Sequence, residues 1–205
     1  MKSLASMLLV LACSVPAAAQ DLQFRPFGMF ALQKFAASET FDAVLGSATQ
    51  PFWGGGLNIT QDDRFYLEIS ASRFDKTGQR AFVNNGQTFP LGIPVQVSMT
   101  PFEFTAGYRF NPNPRFRPYV GGGVGAYHYE ESSEFSDDTE NLNVTHAGGI
   151  VEGGIEVRLH RWVGAAADVH YTYVPGILGD AGLSKDLDEK NAGGFSFRVK
   201  VIIGK

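Results

Sequence analysis

The sequence predicts an all-β protein that folds as an eight-stranded antiparallel up-and-down transmembrane β-barrel. Extended segments alternate apolar and polar residues, and glycine (24 residues), phenylalanine (17) and tyrosine (7) are all abundant. The links between these segments alternate between long and short, as an up-and-down membrane barrel with a turn end and a loop end requires. Aromatic residues near both ends of a segment stand about ten residues apart, the length of a tilted strand that crosses a bilayer.

The stretch 116–129 shows most clearly why strands are expected. It contains Phe116, Tyr119, the three consecutive glycines 121–123 and Tyr127. Three glycines would cost a helix about 2–3 kcal/mol relative to alanine. In a strand, by contrast, glycine marks bends and places of close approach. This stretch is therefore interpreted as a membrane-crossing strand.

Residues 1–19 predict a cleaved signal peptide. Lys2 precedes the apolar run 4–15, and the small residues 17–19 form a cleavage site. The apolar run is shorter than the roughly 20 residues that a membrane-spanning helix needs. We therefore expect residues 20–205 to form the mature barrel domain.

Charge and cysteine content exclude several classes of function. The chain carries 17 Lys and Arg against 21 Asp and Glu, a net charge of −4, so a basic nucleic-acid footprint is absent. Cys13 is the only cysteine and lies in the signal peptide, which leaves the mature chain without a disulfide or a thiolate metal site. We expect no cofactor, no metal ion and no nucleic-acid partner.

The first three strands follow from alternation and turn residues. Strand 1 is expected at 22–34, although apolar residues on both faces leave its orientation open. A long link, 35–51, precedes strand 2 at 52–60. The short polar turn 61–63 leads into strand 3 at 64–75, whose alternation is regular.

Strand 4 shows an apparent change of phase. It is expected at 94–110, after a long link 76–93 with its tip at 84–86. Apolar residues occupy odd positions before Pro101 and even positions after it. Because proline interrupts a ladder, this pattern predicts a bulge or kink at Pro101.

The second half of the chain repeats the same rhythm of strand and link. A turn is expected at 111–115, strand 5 at 116–129, an acidic link at 130–143, strand 6 at 144–160, a tight turn at 160–161, strand 7 at 162–174, a long polar link at 175–191 and strand 8 at 193–203. The acidic link lacks the ligand spacing of a calcium loop and is interpreted as a solvated loop.

The polar face of the strands is expected to line the lumen. Alternation alone does not distinguish an inward from an outward apolar face, but the export signal and the small, glycine-rich polar face favour lipid outside. The charged lumen residues are then Glu68, Glu103, Arg109, Glu152, Glu156, Arg158, Asp168, His170, Arg198 and Lys200. An isolated buried charge costs several kcal/mol, so these nearly balanced charges predict an internal salt-bridge network. Side chains about fill an eight-stranded interior, which predicts a plugged lumen rather than an open pore.

The chain resembles the bacterial outer-membrane β-barrel family with small eight-stranded members, the OmpA-, OmpX- and OmpW-like barrel domains. The resemblance rests on the signal peptide, the run Arg-Pro-Tyr-Val-Gly-Gly-Gly-Val-Gly at 117–125, and Gly-Gly-Ile-Glu-Val-Arg at 153–158 followed by the turn into Trp162. It implies a place in the outer membrane of a Gram-negative bacterium, contact with outer-membrane lipid, and biogenesis through periplasmic chaperones and the barrel-assembly machinery. One departure is the end of the chain, at 201–205, which lacks the family's terminal aromatic residue.

A non-enzymatic barrel is the leading functional hypothesis, acting in envelope integrity or in surface interaction through its loops; the sequence does not identify a loop partner. The alternatives are a small porin or carrier for minor solutes, a soluble exported barrel that binds an apolar ligand, and a lipid A-modifying enzyme. The enzyme would need a His–Ser pair on the outer surface. The nearest arrangements are His170 with Thr172 on the lumen face, and His128 with His146 beside the acidic link. No catalytic residue is therefore assigned.

Overall fold

A computed structural model of the chain forms a closed antiparallel barrel of eight strands, which confirms the predicted fold class. It describes residues 22–84, 87–110, 115–133, 141–178 and 183–204. Each strand pairs with the next, and β1 closes the barrel against β8. The strands are β1 (Leu22–Phe35), β2 (Thr49–Gln61), β3 (Phe65–Asn84), β4 (Gln87–Arg109), β5 (Phe116–Ser132), β6 (Leu142–His160), β7 (Val163–Tyr173) and β8 (Gly194–Ile203), and the helices are α1 (Ser38–Leu45) and α2 (Leu183–Asp186). The signal peptide and residues 134–140 of the acidic link lie outside the described residues.

The prediction of a long link between strands 3 and 4 is wrong. Residues 76–84 and 87–93 continue β3 and β4 as a long hairpin, which pairs as far as Asn84 and Gln87 around the expected tip. Its register shifts once, between Gln79 and Ala81. The hairpin projects beyond the rest of the wall, because β2 pairs with β3 only as far as Arg73.

The prediction of a bulge or kink at Pro101 is also wrong. The β4–β5 register is continuous through this residue, and Val95, Met99 and Glu103 all face the interior. The apparent change of phase has another cause, since apolar side chains occupy the inner face above Pro101 and the outer face below it. One strand thus borders an apolar interior at one end and lipid at the other.

The outer face of the barrel is apolar and the inner face carries charges, the reverse of a soluble protein. Exposed aromatic rings stand at both ends of the apolar band, as in barrels that cross a bilayer. The short-turn end is the end where β2 joins β3, β4 joins β5 and β6 joins β7, and the long-loop end is the opposite one. The exposed rings at the short-turn end are Phe24, Phe65, Phe110, Phe116 and Trp162, and those at the long-loop end are Trp53, Phe102, Tyr173 and Phe195. The orientation of β1, left open by its sequence, follows the same rule, because Phe24 and Leu32 face outward while Arg25 and Met29 are buried.

Helix α1 lies in the link 35–51, where the sequence showed no periodicity. It ends at Gly46, whose φ of 72° is left-handed and whose N–H bonds to the carbonyl of Asp42. Phe41 of α1 stacks on Phe35 of β1 with ring centroids 3.9 Å apart. Neither helix in the described part of the chain is long and apolar enough to span a membrane.

Candidate functional site

Arg198 is the centre of the charged lumen. Its Nε lies 2.6 Å from Oδ1 of Asp168, and its Nη2 contacts Glu152. Its Nη1 lies 3.5 Å from Oε2 of Glu103. Strands β8, β7, β6 and β4 supply these four side chains, so one guanidinium joins strands on different sides of the barrel.

Lys200 extends this network along β8. Its Nζ lies 2.6 Å from Oε1 of Glu68 and 3.4 Å from Oδ2 of Asp168. The ammonium group also lies 5.2 Å from the centre of the Phe27 ring, within the range of a cation–π contact. Lys200 and Arg198 alternate with lipid-facing residues on β8, which places both charges in the interior.

A second group of charges fills the short-turn end. Glu156 contacts Arg25 and lies 3.2 Å from Nη2 of Arg109. The same Arg109 nitrogen donates to Oδ1 of Asn58 at 2.7 Å. Asn58 in turn donates to Oε2 of Glu68 at 3.1 Å, which joins the two groups.

Three buried tyrosines complete the network. Tyr66 donates to Oε1 of Glu152 at 2.7 Å, Tyr119 donates to Oδ2 of Asp168 at 2.7 Å, and Tyr127 donates to Oε1 of Glu103 at 2.9 Å. The sequence-based assignment missed them. The sequence did contain a signal for these tyrosines, because each of them occupies the same strand face as the charged residues.

The sequence-based assignment missed two further arginines of the lumen, and one arginine that it expected in the network lies outside it. Arg25 escaped notice because the orientation of β1 was open. Arg117 lies at the short-turn end, where its Nη1 is 2.8 Å from Oδ1 of Asp63. Arg158, expected in the network, is half-buried, and within the described residues its guanidinium makes no ion pair.

The expected histidine arrangements are not brought together as hydrolytic pairs. His170 and Thr172 are both buried in the lumen, where Nε2 of His170 lies 3.8 Å from Oε1 of Glu103. His128 and His146 occupy opposite faces of the barrel wall, since His146 pairs with the buried Tyr127 next to His128. The expectation that the side chains of His128 and His146 come together is therefore wrong.

A small cavity lies between the charged groups. A cavity of about 10 Å³ lies among Asn58, Tyr66, Glu68, Arg109, Tyr119, Glu156, Ala166, Lys200 and Ile202. That volume holds roughly one water molecule. In the described part of the chain, no group of three or more His, Cys, Asp or Glu residues is arranged to hold a metal ion.

An apolar plug closes the long-loop end above the charges. It is formed by buried side chains of α1, the upper strands and the β7–β8 link: Phe35, Phe41, Leu45, Phe52, Phe74, Val95, Val97, Met99, Tyr127, Tyr129, Val174, Ile177 and Ala192. Phe52 and Phe74 pack with ring centroids 5.1 Å apart. The plug belongs to the same interior as the charged network, because Tyr127 contacts both.

Glu189, in the link between β7 and β8, connects that link to helix α1 of the plug. Its carboxylate accepts the backbone N–H of Thr40 at 2.8 Å and of Glu39 at 3.1 Å. Ala37, at the N-cap of α1, makes no side-chain capping bond, so Glu189 serves the helix N-terminus instead. A backbone bond from Ala36 to Gly193, 2.8 Å long, ties the same two links.

Several solved structures align with most of this chain. Neisserial surface protein A aligns with a TM-score of 0.52 and 14% identity, covering 89% of this chain and 94% of that one. The N-terminal β-barrel domain of Pseudomonas aeruginosa OprF aligns with a TM-score of 0.48 and 14% identity, covering 90% and 96%. OprG from Pseudomonas aeruginosa gives 0.48 and 13%, covering 89% and 93%. At such identities the likeness to neisserial surface protein A shows the fold alone.

The sequence itself matches a family model over nearly its whole length. No curated protein matches the chain. The model that describes the outer membrane protein beta-barrel domain matches residues 5–201. Together with the closed barrel and its apolar outer face, this match establishes that the chain belongs to the outer membrane protein beta-barrel domain family.

Proposed function

We propose that this chain is an outer-membrane barrel with a closed lumen, which acts in envelope integrity or in surface interaction through its loops. The observation that carries the proposal is the presence of two stacked closures in one lumen. The charged network fills the middle and the short-turn end, and the apolar plug fills the long-loop end.

The charged network opposes passage of a solute through the middle of the barrel. Arg198 and Glu152 are both nearly inaccessible, with 2% and 0% of their side-chain surface exposed. Removing one partner of such a buried pair typically costs about 3–5 kcal/mol. A passing solute would have to replace these contacts, which argues against the small porin or carrier.

The apolar plug opposes entry of water and ions. Met99, Val174, Ile177 and Ala192 are all inaccessible to solvent, and apolar constrictions exclude water from pores. The described plug residues are buried against one another, which argues against an apolar ligand in the core of a soluble exported barrel. The apolar outer face argues against that alternative as well.

The long-loop end offers surface for interaction instead. The β3–β4 hairpin extends past the lipid-facing band, and its Phe82 and Phe89 rings stack with centroids 5.4 Å apart. Both rings are exposed, by 44% and 39%. Leu22 and Ile203, close to the first and last described residues, lie at the short-turn end, which in the proposed orientation faces the periplasm and directs the hairpin outward. Outer-membrane lipid would surround the band, and periplasmic chaperones and the barrel-assembly machinery would deliver the chain.

Conductance of the full chain in planar lipid bilayers tests the proposal. The expected result is a gel-mobility shift between unheated and boiled samples, which identifies a folded barrel, together with no conductance steps. Stable conductance steps from the heat-modifiable barrel would contradict the closed lumen and favour the small porin.

A further inference from the structure

Three buried arginines meet at the short-turn end of the lumen. Arg25 contacts Oε1 of Glu156, and Nη2 of Arg109 lies 3.2 Å from Oε2 of the same carboxylate. Arg117 pairs with Glu156 across β5 and β6, and its guanidinium donates to both carboxylate oxygens of Asp63, at 2.8 and 3.1 Å. Only 2–5% of the surface of each arginine is exposed. Three guanidinium groups therefore face two carboxylates, and one of these, Asp63, is 30% exposed to solvent.

Several N–H groups of these arginines lack an acceptor. Among the described residues, hydrogen-bond partners are missing for the buried nitrogens Nε and Nη1 of Arg25, Nε and Nη1 of Arg109, and Nε of Arg117. A guanidinium has five N–H donors and no acceptor, so neighbouring arginines cannot satisfy one another. Because a buried donor without an acceptor is costly, the cluster requires an acceptor other than the described side chains.

The small cavity of the lumen borders this cluster. Its wall includes Arg109 and Lys200, which supply positive charge, and Glu156 and Glu68. Both carboxylates already contact cations, since Glu156 binds Arg109 and Oε1 of Glu68 lies 2.6 Å from Nζ of Lys200. The volume of about 10 Å³ is that of a single water-sized guest. A monatomic ion therefore fits the cavity, whereas phosphate or sulfate, each with four oxygens, does not.

We propose that the short-turn end of the lumen binds one halide ion, such as chloride, in the cavity beside Arg109. The charge of the ion follows from the arginines, because three guanidinium groups against two carboxylates leave one positive charge unbalanced, and buried charges are stable only when paired. The size of the ion follows from the cavity. Carboxylates farther along the lumen already contact Arg198 or Lys200. A water molecule would accept hydrogen bonds but would leave the excess charge in place.

This inference goes beyond the proposed function. The ion enters from the short-turn end and stops below the charged network and the apolar plug, so the lumen stays closed. Conductance and anion binding are measured separately, and failure of one proposal therefore leaves the other standing.

The turn between β2 and β3 provides a matched pair of variants. Asp62 and Asp63 are adjacent and both left-handed, with φ of 51° and 55°, a conformation that asparagine adopts readily. Asp63 binds Arg117, whereas the side chain of Asp62 is exposed. Asp63→Asn therefore removes a negative charge from the cluster, and Asp62→Asn removes the same charge from the surface.

Unfolding of the purified full chain in detergent micelles at increasing chloride concentration tests the site. Gluconate replaces chloride so that the ionic strength, and with it the screening of surface charge, stays constant. Because an ion that binds only the folded barrel stabilises it, the wild-type unfolding midpoint is expected to rise with chloride and to level off. Asp63→Asn is expected to reach half of this effect at a roughly tenfold lower chloride concentration. Asp62→Asn keeps the wild-type dependence, and Arg117→Met, which removes the excess positive charge, abolishes it.

Bromide locates the ion, because it scatters X-rays anomalously. Crystals of the wild-type barrel grown in bromide are expected to show an anomalous peak in the cavity beside Arg109. A midpoint independent of chloride in both the wild type and Asp63→Asn would overturn the proposal, since water and the carboxylates farther along the lumen would then suffice to balance the arginines. Equal shifts in Asp62→Asn and Asp63→Asn, or bromide peaks confined to the barrel surface, would overturn it as well.

Discussion

Arg198 and Asp168 face each other across the paired strands β8 and β7, with Nε of Arg198 2.6 Å from Oδ1 of Asp168. The same guanidinium reaches Glu152 and Glu103 on strands farther around the barrel. Because Arg198 is almost completely buried, all of this charge is balanced by protein groups rather than by water. The pair therefore links β7 to β8 at the same place where it neutralises charge in the lumen.

Replacement of Arg198 by methionine is expected to destabilise the barrel strongly. Arg198→Met leaves the surrounding carboxylates without their main counter-ion, which in comparable buried pairs costs about 3–5 kcal/mol. Arg73→Met is the control, since Arg73 contacts Asp75 at 3.4 Å on an exposed face, and such pairs contribute about 0–1 kcal/mol. Urea unfolding in micelles, followed by gel mobility, measures both. Equal midpoints for the two variants would contradict the central role of Arg198.

Gly121 is expected to tolerate no side chain. A Cβ atom there would lie 2.2 Å from Oη of Tyr66, whose hydroxyl donates to Glu152. Gly121→Ala therefore displaces the ring and breaks a buried hydrogen bond, at a cost of about 1–3 kcal/mol. Gly28→Ala is the control, because a Cβ at this outward glycine meets no atom within 4 Å. A lower unfolding midpoint for Gly121→Ala alone is the expected result.

The strand count and the inner face were predictable because alternation with period two acts on every strand. Glu68, Asp168 and Arg198 stand on the polar face in the sequence and in the lumen of the barrel. Alternation alone did not identify the tyrosines that bond to these groups, because an aromatic ring counts as apolar while its hydroxyl belongs to the network. Tyr119 shows both properties, with a buried ring and a hydrogen bond to Asp168.

The apolar plug was not predictable for a different reason. Its residues come from segments distant in sequence, and each segment alone shows weak periodicity. On β4, Val95 and Met99 resembled a lipid-facing run that changed phase at Pro101, whereas they belong to the interior. The helix N-terminus at Thr40 is capped by Glu189, 149 residues away, so local sequence contained no capping signal.

Removal of the Glu189 carboxylate is expected to loosen α1 without unfolding the barrel. Glu189→Ala leaves the N–H groups of Glu39 and Thr40 without their acceptor, and loss of such a cap costs about 0.5–2 kcal/mol. Glu189→Gln retains an acceptor oxygen and is the milder control. Hydrogen exchange at the amides of α1 measures the change, with faster exchange in Glu189→Ala than in Glu189→Gln. Unchanged exchange in both variants would show that the contact does not hold the helix.

The two closures of the lumen are expected to act in series. Phe41→Ala opens the apolar plug, since Phe41 is buried and stacks on Phe35, but the charged network below remains. Arg198→Ala disrupts the network while the plug remains. Because either layer alone blocks the path, only the double variant is expected to show conductance steps in planar bilayers.

Phe104→Ala is the matched control for this test, because Phe104 is an outward-facing phenylalanine on β4 with 42% of its surface exposed. Combined with Arg198→Ala, it changes lipid contact and leaves the plug intact, so no conductance is expected. All variants are compared after the gel-mobility shift has identified the folded fraction. Conductance in Arg198→Ala alone would mean that the plug does not exclude ions, and conductance in Phe41→Ala alone would mean the same of the charged network.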